Sequence, residues 1–212
     1  MTFKIDLHVH SNLGGDSNIE PETVVPQALA TGLDAVCITE HHSYSLSEPF
    51  QKISRKTGFP IFRGMEYRAA EGHLLIFGVK AGRGDLLSGL PMQKVVDWTH
   101  HLGGIAVPAH PYQISMTGVS LGDGVLKLKG LIALEAINGS LSSDDNGKAM
   151  GAAARLGIQG IGGSDAHGIE ALGKAYTIFP EPIRTTEELV RALRSGGYTP
   201  HWKGNGTGRG GQ

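Results

Sequence analysis

The sequence predicts an α/β protein of βα units arranged around a parallel sheet or barrel. Short apolar runs alternate with helix-length stretches throughout the chain. Turn residues punctuate that alternation: 32 of 212 residues are glycine, twice the ordinary share of about 7%. Most of the ten histidines fall where an apolar run gives way to its loop.

The elements follow in order. Phe3 to Val9 reads as the first strand. Pro21 to Thr31 reads as a helix with Val24, Val25, Ala28 and Leu29 on one face. Pro21 suits its first turn and Gly32 the position past its end, while Pro26 should bend or shorten it. Asp34 to Thr39, with its Ala-Val-Cys-Ile centre, is a buried strand, and a helical segment from Ser47 to Thr57 stops before Gly58. Ile61 to Gly64 and His73 to Val79 are strands joined by a short loop; Pro91 to Leu102 is a helix and Gly104 to Pro108 a strand. Gln113 to Lys129 shows no period and is expected to be loop. Leu131 to Ile137 resumes as strand, Asp144 to Leu156 is an Ala-rich helix stopped by Gly157, and Ile158 to Gly162 and Ala175 to Phe179 are strands. The last helix, Thr186 to Ser195, opens with Thr185 and Glu188 in capping-box spacing and closes at Gly196.

Composition narrows the function classes. Lys+Arg 19 against Asp+Glu 20 argues against a protein that grips long nucleic acid by charge. Apolar residues at 40% and charged residues at 18% suit a chain with a sizeable core. The single Cys37 cannot form an internal disulfide, no stretch reads as a secretory signal, and no apolar run approaches a membrane span. The expectation is a cytoplasmic protein with one domain over residues 1–202 and a mobile Gly-rich tail over 203–212.

Position singles out the chemistry. Asp6, His8 and His10 alternate at period two, so on a regular strand all three face the same way. His41 and Glu66 follow the next two strands, His73 opens the fourth, His110 follows the fifth, and Asp165 and His167 close the last. In βα barrels the loops after the strands converge on one rim. Imidazole with carboxylate suits zinc, manganese or iron, and an all-oxygen calcium or magnesium cage would not need so many histidines.

These segments form motifs: D-L-H-V-H-S at Asp6 to Ser11, I-T-E-H at Ile38 to His41, G-M-E at Gly64 to Glu66, E-G-H at Glu71 to His73, A-H-P at Ala109 to Pro111, and S-D-A-H at Ser164 to His167. In that order they resemble the PHP family, named for polymerase and histidinol phosphatase, over Phe3 to Gly197. The resemblance implies a distorted (β/α)7 barrel with up to three metal ions at the strand C-terminal ends and hydrolysis of phosphoesters. It implies a first site of His8, His10, Glu66 and Asp165. Glu66 would bridge to a second metal held by His73 and His110, and Asp16, His41 and His167 would hold a third. Glu40 stands where many members carry Asp and precedes the ligand His41. Asp6 is expected to orient a ligand histidine from behind. His42, His100, His101 and His201 match no motif, and the pair on the Pro91 to Leu102 helix reads as surface or packing.

The expected activity is a metal-dependent phosphoesterase acting on a small phosphorylated metabolite or nucleotide, with two to three Mn, Fe or Zn ions. Asp165 would ligate and accept a proton, Glu66 would set the metal spacing, and His167 or His41 would assist the leaving oxygen. Arg68, Lys148 and Lys174 are candidate phosphate contacts. Gly162 and Gly163 would either let backbone approach the cluster or form a simple turn. Alternatives are a nuclease on short oligonucleotides, an amide or lactone hydrolase using the same ions, and a metal-binding domain without turnover.

Overall fold

The computed structural model describes residues 2–114, 118 and 120–204. Three parallel strands, β1 (Phe3–Val9), β2 (Ala35–Ile38) and β3 (Ile61–Arg68), start the sheet, with Asp6 level with Val36 and Cys37 with Phe62. α1 (Pro21–Ala30) and α2 (Pro49–Thr57) make the crossovers. Pro26 sits inside α1, which continues to Ala30 and so is neither stopped nor shortened by it.

β4 (His73–Phe77) runs antiparallel to β3 and to β5 (Ile105–Ala109), against the expectation of βα units throughout. The cause is the connection: Ala69 to Gly72 closes a hairpin, whereas a parallel crossover needs a dozen or more residues. β3 is longer than expected because that pairing extends it to Arg68. α3 (Met92–His101) leads into β5, where Pro108 fits because β5 ends the hydrogen-bonded ladder.

β6 (Ala133–Asn138) and β7 (Gln159–Gly163) form a separate parallel pair joined by α4 (Ser143–Leu156). The chain leaving β7 is sewn to β1, with Asp165 N donating to the His8 carbonyl at 2.8 Å and His10 N to the Ala166 carbonyl at 3.1 Å. On the other side β6 packs along β5. There His110 N donates to the Glu135 carboxylate at 2.7 Å. Strands β1 to β7 thus curl into the distorted barrel. β8 (Ala175–Phe179) pairs with the first half of β1 and carries β9 (Thr199–Trp202), an edge strand the sequence reading did not anticipate.

One buried cluster joins Ile5, Leu7, Cys37, Leu75, Phe77, Val107 and Ile161 to Leu189 and Leu193 of α5 (Thr186–Ser195), which seals one end of the barrel. Val24, Val25 and Ala28 of α1 pack with Val36, Ile38 and Phe50 in a second cluster. Within the segment 113–129, read as loop, Gly122–Lys127 forms a short 3₁₀ helix. Residues 205–212 of the expected tail lie outside the described residues, while Lys203 N donates to the Lys174 carbonyl. No helix among the described residues is long and apolar enough to cross a membrane.

Candidate metal centre

The rim opposite α5 gathers the imidazoles and carboxylates. His8 Nε2 lies 3.0 Å from His10 Nε2, 3.3 Å from Glu66 Oε2 and 3.4 Å from Asp165 Oδ1. His10 Nε2 lies 3.2 Å from Glu66 Oε2 and 3.4 Å from Asp165 Oδ1. These four donor atoms lie close enough together to share one ion. All four residues are buried, and two imidazole nitrogens facing two carboxylate oxygens make a donor set suited to a first-row divalent ion.

Glu66 reaches further. Its Oε1 lies 2.7 Å from His73 Nδ1 and 2.9 Å from His110 Nε2, while Oε2 faces His8, His10 and His41 Nδ1, the last at 3.2 Å. One carboxylate is shared between two sets of histidines. A third group stands nearer the surface, where Asp16 Oδ2 is 3.0 Å from His41 Nε2 and 3.4 Å from His167 Nε2, with His10 close by.

The electrostatics of the cluster are mutual. Burial works against a charged His10 ring, but Asp165 and Glu66 outweigh it and lift its pKa to about 9. Burial likewise pushes Glu66 up, yet His8, His10, His110 and His73 hold it well below the usual carboxylate range. Asp165 is depressed too, since His8, His10 and His110 overcome its burial. His41 is lowered to about 4 by burial, with repulsion from His10 and His73 set against the attraction of Glu66 and Asp16. The pocket therefore favours ionised carboxylates and positive charge among them.

Local backbone fits this purpose. His42, His110 and Asp165 are the described non-glycine residues with positive φ, at 59°, 27° and 53°, and all three adjoin the cluster. Such conformations cost of order 1–3 kcal/mol each and persist where surrounding contacts over-determine them. A Cβ on Gly163 would lie 2.4 Å from the His8 Cβ and 3.1 Å from Glu135 Oε1. Gly163 therefore allows close approach within β7 and does not form a turn.

The PHP domain family matches residues 6–121, and the PHP-associated family matches residues 143–198. The chain belongs to the PHP family. A histidinol-phosphatase of Lactococcus lactis is 31% identical over 118 residues, which is 49% of this chain and 42% of that enzyme. A two-domain protein of Bacteroides vulgatus containing a predicted PHP-like metal-dependent phosphoesterase superposes with TM-score 0.74 at 19% identity, over 95% of this chain and 65% of that one. A lesion-specific endonuclease of Pyrococcus furiosus superposes with TM-score 0.68 at 20% identity, over 94% of this chain and 58% of that one. This PHP chain thus spans less than two thirds of each of these relatives.

Measured on this PHP barrel, the expected ligands His8, His10, Asp16, His41, Glu66, His73, His110, Asp165 and His167 all come together at the rim. His73 arrives there because β4 is reversed, which puts the start of that strand beside the end of β3. Asp6 departs from the expectation. The β1–β2 register shifts between Asp6 and Val9, which breaks the period-two alternation. Asp6 accepts the backbone N–H groups of Ser164 at 2.8 Å, Gly173 at 2.9 Å and the ligand residue His8 at 3.3 Å, but no histidine ring. Desolvation raises Asp6 to about 6 against those hydrogen bonds.

The orienting role belongs to Glu135, which the sequence reading passed over. Its Oε1 accepts from His8 Nδ1 at 2.9 Å, and its Oε2 accepts from His110 N and from Asn138 Nδ2 at 3.1 Å. Asn138 Nδ2 also reaches Asp165 Oδ2 at 3.2 Å, and Asn146 of α4 holds the Asn138 backbone through both its N–H and its carbonyl. A carboxylate in the middle of the buried strand Ala-Leu-Glu-Ala-Ile was the available signal. Glu40 stays off the cluster, its Oε1 accepting from Ser11 N and Oγ. Of the expected phosphate contacts, Arg68 extends from the end of β3, Lys148 pairs with Asp145 at 3.2 Å, and Lys174 lies beside Gly139. His101 and His201 are exposed, and His100 Nε2 caps Ala106 N at 3.5 Å, consistent with surface and packing roles.

Proposed function

We propose that this PHP protein hydrolyses the phosphoester of a small phosphorylated metabolite or nucleotide in the cytoplasm, using two to three Mn, Fe or Zn ions. The observation that carries this reading is the division of the Glu66 carboxylate, with one oxygen toward His73 and His110 and the other toward His8, His10 and His41. Ions held by these two sets of residues would neutralise phosphoryl oxygens and would let a bound water give up a proton near neutral pH.

The chain's residues supply the rest. Glu66 fixes the spacing of the two inner ligand sets. Asp165, held in its left-handed backbone by contacts on both sides, takes the proton as the water oxygen bonds to phosphorus. The ester P–O bond breaks, and His167, partly exposed at the mouth, returns a proton to the leaving oxygen when its ring is not ligating. Its Nδ1 is steadied by the Asp165 carbonyl at 3.0 Å. Arg68 offers a guanidinium to the phosphoryl oxygens, and Lys148 and Lys174 are weaker candidates for the same role.

Purified protein should contain two to three equivalents of Mn, Fe or Zn and release phosphate from members of a phosphorylated-metabolite panel in the presence of Mn. Glu66→Ala should lower metal content and activity together; full activity in that variant would overturn the bridging role. The endonuclease neighbour favours a second reading, hydrolysis of short oligonucleotides. Salt separates the two, since oligonucleotide turnover weakens steeply as salt rises and monoester turnover does not. Turnover of amides or lactones with no phosphate release would replace the phosphoester reading altogether.

A further inference from the structure

We propose that Glu40 is a positioning residue for the outer ion: it holds the turn that presents Asp16 to His41 and His167, and so sets whether the outermost ion is retained. This rests on the metal-dependent reading above and deepens it, because an occupied outer site makes His167 a ligand and an empty one leaves its ring free to return a proton.

Asp16 is poorly anchored by its own side chain. It is exposed, and among the described residues its carboxylate has only His41 Nε2, at 3.0 Å, and His167 Nε2, at 3.4 Å, within ion-pair distance. Its place is therefore set by the turn from Ser11 to Ser17. That turn is fastened at both ends to the chain segments that supply the two histidines. At its far end Ser17 Oγ lies 3.1 Å from the His167 carbonyl, and Asn18 N donates to the same carbonyl at 3.0 Å. At its near end Ser11 N and Ser11 Oγ both donate to Glu40 Oε1, at 3.1 and 2.5 Å. Ser11 passes this hold along the turn, its Oγ accepting from Leu13 N at 3.3 Å and its carbonyl from Gly14 N at 3.1 Å.

Glu40 is fully buried and precedes His41, and its own carbonyl accepts from Glu66 N at 3.1 Å. One residue thus ties the turn after β1 to the ligand after β2 and to the shared carboxylate of β3. Its second oxygen faces Asp16. Glu40 Oε2 is buried without a hydrogen-bond partner among the described residues, and a Cβ on Gly14 would stand 2.4 Å from it and 3.0 Å from Asp16 Oδ1. Gly14 is therefore the spacer between the two carboxylates, and a methyl group there would force one of them to move. A buried acceptor left without a donor is rare enough to need a reason, and its seat beneath the turn that carries Asp16 provides one.

Equilibrium dialysis of the full chain against Mn, followed by elemental analysis, counts the ions and gives their affinities. The wild type should take up one more equivalent than Asp16→Ala. Glu40→Ala should weaken that outermost ion about tenfold or more and leave the others in place. Glu40→Gln, whose amide oxygen still accepts from Ser11, should bind them all as the wild type does. Gly14→Ala disturbs the same contact from the turn side and should also lose the outermost ion alone; it decides the question if circular dichroism shows Glu40→Ala unfolded. Equal uptake by the wild type and Asp16→Ala, an unaltered outermost ion in Gly14→Ala or in folded Glu40→Ala, equal weakening of every ion, or a Gln variant as impaired as the Ala one would each overturn the positioning role. Phosphate release is scored separately: ion uptake as expected with no ester cleaved would uphold Glu40 and fail the phosphoester reading alone.

Discussion

Glu135 shows how much one carboxylate can organise. An unpaired charge in a buried strand costs several kcal/mol, yet here every contact to it comes from a donor: His8 Nδ1, His110 N and Asn138 Nδ2. The bond to Nδ1 fixes the His8 tautomer with Nε2 free to ligate. Glu135→Gln keeps the shape but turns an amide N–H₂ toward one of those donors. Metal affinity, measured by competition with a chromogenic chelator, should fall about 10–100-fold; an unchanged affinity would remove Glu135 from the ligand support. The ligands themselves were legible as H-x-H, E-H and D-A-H patterns at strand ends. Glu135 was not, because its partners lie at sequence separations of 127 and 25 residues. Asp6 misled for a related reason: alternation assumes a regular strand, and the ladder slips beside it.

At the level of elements, punctuation was more readable than pairing. Thr185 Oγ accepts from Glu188 N at 3.1 Å as the capping-box spacing predicts, while Glu188 Oε2 takes Arg184 N at 2.7 Å, one residue earlier than the motif implies. That cap begins the helix whose Leu189 and Leu193 seal the barrel end away from the cluster of histidines and carboxylates. Thr185→Ala should cost about 1 kcal/mol, seen as a drop in Tm of about 2–4 °C for a chain of this size, with metal content unaffected. A loss of metal in that variant would mean the two ends are coupled. Strand direction was the harder quantity. β4 carries the same apolar signature whichever way it runs, and only the brevity of Ala69 to Gly72 betrays its reversal. β9 escaped notice because Thr-Pro-His-Trp is a partly exposed edge without an apolar face.

Across the whole molecule, the ligands come from segments otherwise joined only by the barrel: β1 and the loop after it, the loops after β2, β5 and β7, the body of β3, and the start of β4. Ions that bind only the folded arrangement stabilise it by about 2.7 kcal/mol per site at a hundredfold excess over Kd. Chelation with EDTA should therefore lower Tm by several degrees, addition of Mn should restore it, and Glu66→Ala should show a smaller shift. A melting temperature indifferent to chelator would argue that no ion links these segments.

The reversed fourth strand has one further effect. Glu66 and His73 sit on adjoining arms of a single hairpin, so their separation is inherited from ladder register, and no flexible connection can drift between them. Lengthening that turn by one residue would slide His73 to the outside of the wall, a single insertion that unmakes a ligand without replacing it. On this flank the opening is rigid, and variation in what it admits must come from the crossovers around the rest of its circumference.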